Sequence, residues 1–192
     1  TSLISVRVPK QVIRIGNNAF YQCSSLTSIT LPESITSIAS SAFSGCTSLI
    51  SVRIPKQVMS IDNRTFYQCS SLKEVILSDG IKSIGVSAFE DCSSLNSIEF
   101  PASIESISLD AFEGTALMSA KFHGNAPACN DVDSLASFPP MTTVYYISGT
   151  TGWTDGEDYD EEAGTWKGYK LAIWDPKAES LKPEIADIPK DK

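Results

Sequence analysis

The stretch Leu26-Thr27-Ser28-Ile29-Thr30-Leu31-Pro32-Glu33-Ser34-Ile35-Thr36-Ser37-Ile38-Ala39-Ser40-Ser41-Ala42-Phe43-Ser44-Gly45-Cys46-Thr47-Ser48 is one unit of a repeat, and Leu49 begins the next. Four other units align to it, at Leu3, Leu49, Leu72 and Leu95, and a shorter one starts at Leu117. Cys23, Cys46, Cys69 and Cys92 mark the period of 23 residues. Within a unit the apolar positions are Leu, Ile, Leu, Ile, Ile, Ala, Phe and Cys, separated mainly by Ser, Thr, Lys and Glu. A helix would space them near 3.6, whereas a chain that turns inward every few residues gives this pattern. A fixed period of this length specifies a solenoid, whose continuous core no single unit buries alone.

Each unit divides into parts. Ile29-Thr30-Leu31 alternates with period two and reads as a short strand, so stacked units form a parallel sheet. Pro9, Pro32, Pro55 and Pro101 share one column, and proline has no N–H for a ladder, so pairing stops there. Ser and Thr after each cysteine suit a tight turn back into the strand. A short helical turn is expected around Ala42-Phe43, with Phe20, Phe43, Phe66, Phe89 and Phe112 as an aromatic ladder. Gly16 and Gly85 align with Ala39, Asp62 and Ser108, so that column does not demand a positive φ.

The pattern LxxIxLPxxIxxIxxxAFxxCxxL resembles the BspA-like leucine-rich repeats of bacterial surface proteins, over about residues 1–122. The resemblance implies a right-handed leucine-rich-repeat solenoid of 23-residue units with short parallel strands on its concave face. It also implies a secreted or cell-surface bacterial setting, and a role in adhesion or partner recognition with no shared catalytic residues.

Residues 123–174 read as an aromatic-rich C-terminal cap. They hold Trp153, Trp166 and Trp174 with Tyr145, Tyr146, Tyr159 and Tyr169, and the last coil of a solenoid needs a cover. Thr143 to Ile147 reads as a strand and Gly149 to Gly152 as a turn; YYxxGTTGW followed by a later Trp resembles the ending often seen after these repeats. Residues 175–192, rich in Pro, Lys, Asp and Glu, read as a solvated tail or linker. The opening Thr1-Ser2-Leu3 matches Thr47-Ser48-Leu49 in mid-repeat, as expected of a piece of a longer array.

The formal charge is −8. Residues 1–122 carry nine Lys/Arg against ten Asp/Glu, and residues 123–192 carry six against thirteen. An acidic C-terminal third argues against nucleic acid, which needs a basic stripe. No apolar run reaches bilayer length.

Side chains in one column of adjacent coils lie about 5 Å apart at Cα, a distance a disulfide tolerates. The cysteine column therefore permits pairing as 23–46 and 69–92, or four free thiols filling the core as small hydrophobes. A single file cannot converge on a metal tetrahedrally, so no metal site is expected there. Cys129 stands apart, in the cap. Asp155, Glu157, Asp158, Asp160, Glu161 and Glu162 form an acidic run without Lys or Arg. Its spacing fails the EF-hand pattern, leaving a solvated loop as the reading and calcium as the alternative.

Catalysis finds little in the sequence: His123 is the only histidine, and no nucleophile motif accompanies it. No cofactor is expected. The outward residues of the strands are the better candidates, in the column Arg7, Thr30, Arg53, Ile76, Glu99 and Lys121. Beside it run Ser5, Ser28, Ser51, Glu74, Ser97 and Ser119, and just past the strands Lys10, Glu33, Lys56, Asp79 and Ala102. The N-terminal half is basic and the C-terminal half acidic, which would orient a protein partner. Such a partner is expected to be a host matrix protein or another surface protein. Two rival expectations are glycan binding on exposed cap tryptophans, and a passive spacer that binds nothing.

Overall fold

The computed structural model describes residues 3–127, 138–156 and 159–177. Each coil contributes a first strand and, after a bend, a two-residue second one. In chain order these are β1 (Ser5–Arg7), β2 (Arg14–Ile15), β3 (Ser28–Thr30), β4 (Ser37–Ile38), β5 (Ser51–Arg53) and β6 (Ser60–Ile61). They continue as β7 (Glu74–Ile76), β8 (Ser83–Ile84), β9 (Ser97–Phe100), β10 (Ser106–Ile107) and β11 (Ser119–Phe122). The cap adds β12 (Thr143–Tyr146), β13 (Tyr159–Asp160), β14 (Thr165–Trp166) and β15 (Tyr169–Ile173).

Stacking is parallel and in register with the sequence period. Ser5, Val6 and Arg7 face Ser28, Ile29 and Thr30, and Arg53 faces Ile76. β1, β3, β5 and β7 form one ladder, and β9 opens another that continues through β11, β12 and β15. The second strands pair separately, β2 with β4, and β6 with β8 and β10. β1, β3 and β5 end two residues before the proline column, and β9 runs up to Pro101, as the missing N–H requires. The whole is a right-handed leucine-rich-repeat solenoid with the first strands on its concave face.

The turn around Ala42-Phe43 is not helical, contrary to expectation. Its N–H groups alternate in destination: Ala42, Ser44 and Cys46 donate to Ala39, Ser41 and Phe43 of their own coil. Ser41, Phe43 and Gly45 donate instead to Asn63, Thr65 and Tyr67 of the next coil. A helix keeps all such bonds within itself, so stacking and helix compete for the same donors, and stacking wins. The alternation is achieved with two left-handed residues per turn. One column holds Asn18, Ser41, Arg64, Ser87 and Asp110; the other holds Gln22, Gly45, Gln68, Asp91 and Gly114. Gly16 and Gly85 lie outside the left-handed region, as their alignment with Ala39 suggests.

The core follows the apolar columns. Phe43, Phe66, Phe89 and Phe112 are fully buried, and rings from Phe20 to Phe112 stack with centroids 5.2–5.3 Å apart and planes within 8°. This is offset stacking, favoured by the ring quadrupole.

Although the sequence period stops at Phe122, the sheet does not. β12 pairs parallel with β11, Thr143 facing Ser119, and β15 pairs parallel with β12, Lys170 facing Thr143. β14 and β13 then add antiparallel. Thr142 ties this extension to the last repeat by donating to the Leu117 carbonyl at 2.8 Å. Over the open end, Trp153 lies against Phe122 (4.9 Å) and Trp166 (4.8 Å), and its Nε1 donates to the Gly124 carbonyl. Phe138 packs on Phe112 and accepts a hydrogen bond from Tyr169 at 2.9 Å. Burial raises the Tyr169 phenol above its ordinary value.

Candidate functional site

Alternation along the first strands decides what faces solvent. Val52, Val75, Ile98 and Ala120 are buried, and the residues on either side of each point out. Arg7, Thr30, Arg53 and Glu99 are exposed, while Ile76 and Lys121 are half-buried. All six expected contact residues therefore reach one face. Arg7 stands opposite Thr30, Arg53 opposite Ile76, and Glu99 opposite Lys121. The sheet extends this column beyond the repeats with Tyr145 and Ala172, so Ile76 is the lone apolar member only within them.

The column is not uniform. A groove of about 650 Å³ lies over β7, β9 and β11, and its lining includes Ile76, Glu99 and Lys121 from the column with Glu74 and Asp79 beside it. Arg7, Thr30 and Arg53 lie outside it, on the N-terminal half.

At the C-terminal end of the groove four side chains are locked together. Glu99 takes Lys121 Nζ at 3.6 Å and His123 Nε2 at 3.5 Å on its two oxygens. Lys121 Nζ sits 4.7 Å from the centre of the Trp174 ring, and His123 meets the same ring edge-on at 4.7 Å. With its side chain only 20% exposed, Lys121 is held by an ion pair and a cation–π contact at once. Trp174 arrives because its N–H donates to the Tyr146 carbonyl at 2.8 Å, just past β15. Its buried Nε1 finds no acceptor among the described residues. Sequence reasoning placed His123 alone and Trp174 in the cap. Only the pairing of β15 on β12, which no repeat announces, brings them to Glu99.

The cap tryptophans present no face for a sugar ring. Trp153 is 0% exposed, Trp166 1% and Trp174 7%, and stacking on a sugar needs an open ring. Glycan binding through these residues therefore goes no further. In the acidic run, Asp155 accepts the Gly152 N–H at 2.6 Å and Asp160 accepts the Ala163 N–H at 3.0 Å. Glu157 and Asp158 lie outside the described residues, as does Cys129.

The cysteine column is made of free thiols at Cys23, Cys46, Cys69 and Cys92. Each inner thiol donates to the phenylalanine carbonyl of the preceding coil: Cys46 to Phe20, Cys69 to Phe43 and Cys92 to Phe66, at 3.1–3.2 Å. Burial pushes the Cys46 and Cys92 thiols up to about 12, with the Cys23 thiol a second cause for Cys46. Cys69, fully enclosed, is raised in the same direction by burial and its two neighbouring thiols. Such thiols are poor nucleophiles.

Comparison with known proteins agrees with this architecture. A model of the BspA type leucine rich repeat region matches residues 1–119 in six copies. The chain is similar to a leucine rich repeat protein of T. pallidum, with 30% identity over 65% of this chain and TM-score 0.61. It is also similar to a leucine-rich repeat protein from Bacteroides ovatus, with 27% identity over 90% of this chain and TM-score 0.64. The chain spans 63% and 43% of the lengths of these two relatives. No match is found among curated proteins.

Proposed function

This chain belongs to the BspA-type leucine-rich-repeat family, and from that premise we propose that it is a non-catalytic recognition module binding a protein partner through its concave sheet. Leucine-rich repeats of this type are generally protein-interaction modules. The setting proposed is the bacterial surface or its surroundings, and the partner is a host matrix protein or another surface protein. Among the described residues no helix is long and apolar enough to cross a membrane.

One observation carries the reading: Arg7, Thr30, Arg53, Ile76, Glu99 and Lys121, far apart in sequence, share one solvent-reaching column across two successive parallel ladders, the first four on β1 to β7 and the last two on β9 and β11. Parallel stacking fixes their spacing, so complementarity costs little ordering on binding. Arg7 and Arg53 form no ion pair among the described residues, which leaves both free to meet carboxylates.

A binding screen against immobilised matrix proteins tests the reading, with the Arg7→Glu/Arg53→Glu variant beside the native chain. The expected result is a protein hit weakened about tenfold or more in the variant. A hit bound equally by both chains would remove the concave sheet as the binding surface.

A further inference from the structure

We propose that the groove over β7, β9 and β11 receives a cationic, partly apolar segment of the protein partner, whose Lys or Arg heads reach Glu74 and Asp79. This rests on the concave-sheet reading and adds the chemistry of what its C-terminal half accepts.

Free charge in the groove is what selects the occupant. Glu99 is spoken for by Lys121 and His123, and both of these rest on Trp174. Glu74 and Asp79 line the same groove and have no ion-pair or side-chain hydrogen-bond partner among the described residues, and both are exposed. The one lining cation outside the Glu99 cluster is Lys73. Two carboxylates without partners among the described residues therefore share the groove with a single such ammonium, and a concave site focuses their field.

The floor fits the stem of such a side chain. Ile76 and Leu77 are half-buried and Pro101 is buried, all lining the groove. Lys and Arg lay their methylenes on apolar surface while the head reaches a carboxylate. An acidic segment would face the two unpaired carboxylates and find Lys121 already engaged. A wholly apolar one would desolvate both without compensation. The N-terminal half carries the opposite sign, with Arg7, Lys10, Arg53 and Lys56 all exposed. A partner basic over β7 to β11 and acidic over β1 to β5 is thereby held in one direction only.

The test is fluorescence anisotropy on the whole chain with two short labelled peptides, one alternating Arg and Leu, the other Glu and Leu. The Arg/Leu probe is expected to bind, and Glu74→Lys/Asp79→Lys to weaken it about tenfold or more. Glu74→Gln/Asp79→Asn should weaken it less, and Glu161→Lys/Glu162→Lys, outside the groove, should leave it unchanged. Preference for the Glu/Leu probe, or equal loss in the Glu161/Glu162 variant, would overturn the proposal. The two readings separate on the partner from the screen. Binding lost with Arg7→Glu/Arg53→Glu but untouched by Glu74→Lys/Asp79→Lys sinks the groove and leaves the concave sheet; indifference to both sinks both.

Discussion

At the carbonyls of Phe20, Phe43 and Phe66 two donors meet. The Phe43 oxygen takes the Cys46 N–H at 3.0 Å from its own coil and the Cys69 thiol at 3.2 Å from the next. The Phe66 oxygen repeats this with Cys69 N–H and the Cys92 thiol, both at 3.1 Å. The recurring cysteine thus fills core volume and satisfies a second lone pair, which an alanine would leave bare. Thiol alkylation of the native chain, read by peptide mass mapping, should label half-buried Cys23 first. Cys46, Cys69 and Cys92 should react only on unfolding; equal rates at all four would refute this. The pH dependence has a definite sign. Folded Cys46 and Cys92 keep their protons to about 12, against an ordinary value of 9.0. The unfolded chain releases them earlier, so this contribution to stability is complete below about pH 9 and lost as pH rises toward 12. Thermal melts across that range should fall, and a flat profile would contradict the assignment.

The phenylalanine column is the element that ties coil to coil. Phe66 sits between Phe43 and Phe89, each 5.3 Å away, and is fully buried. Phe66→Ala removes contacts on both sides and should cost about 3–5 kcal/mol in denaturant unfolding. Phe20 is half-buried with a ring on one side only, so Phe20→Ala should cost roughly half as much. Equal costs would mean that the stack does not act through neighbours. The aromatic ladder was legible in the sequence because its period is invariant. The shape of its turn was not: Ala-Phe suggests a helical turn locally, and only the competition for N–H groups between coils converts it. Gly45 and Gly114 mark one left-handed column in the sequence, but Gln68 (φ 58°) in the same column carries no such signal.

For the whole molecule, contacts run between neighbours in the stack, and its two ends differ. The C-terminal end is closed by Trp153, Trp166 and Phe138, all at most 2% exposed. The first described coil leaves Leu3 43% exposed, whereas Leu26 and Leu49 in the same column are 0% exposed. A solenoid of this kind opens from its less covered end. Amide exchange should be fastest in β1 and β2, slow from β5 to β12, and intermediate in the β13–β14 hairpin. Uniform protection would show one indivisible cooperative unit instead. On the concave face, Lys121 and His123 sit against the closed C-terminal end.

By itself the sequence determined the coil, its period, its in-register columns and the column of outward residues, because a residue repeated every 23 positions must occupy the same place in every turn. It also marked the aromatic cover of the last coil. Only the tertiary structure decided how that cover joins. Thr143 stands 24 residues after Ser119, and Lys170 stands 27 after Thr143, yet all three align in one sheet. Backbone pairing tolerates unequal excursions between strands, whereas pattern reading depends on equal ones. That difference hides Trp174 from any repeat-based reading and sets it beside Lys121, His123 and Glu99. By pairing with Glu99, this cluster leaves Glu74 and Asp79 as the groove carboxylates that have no partner among the described residues.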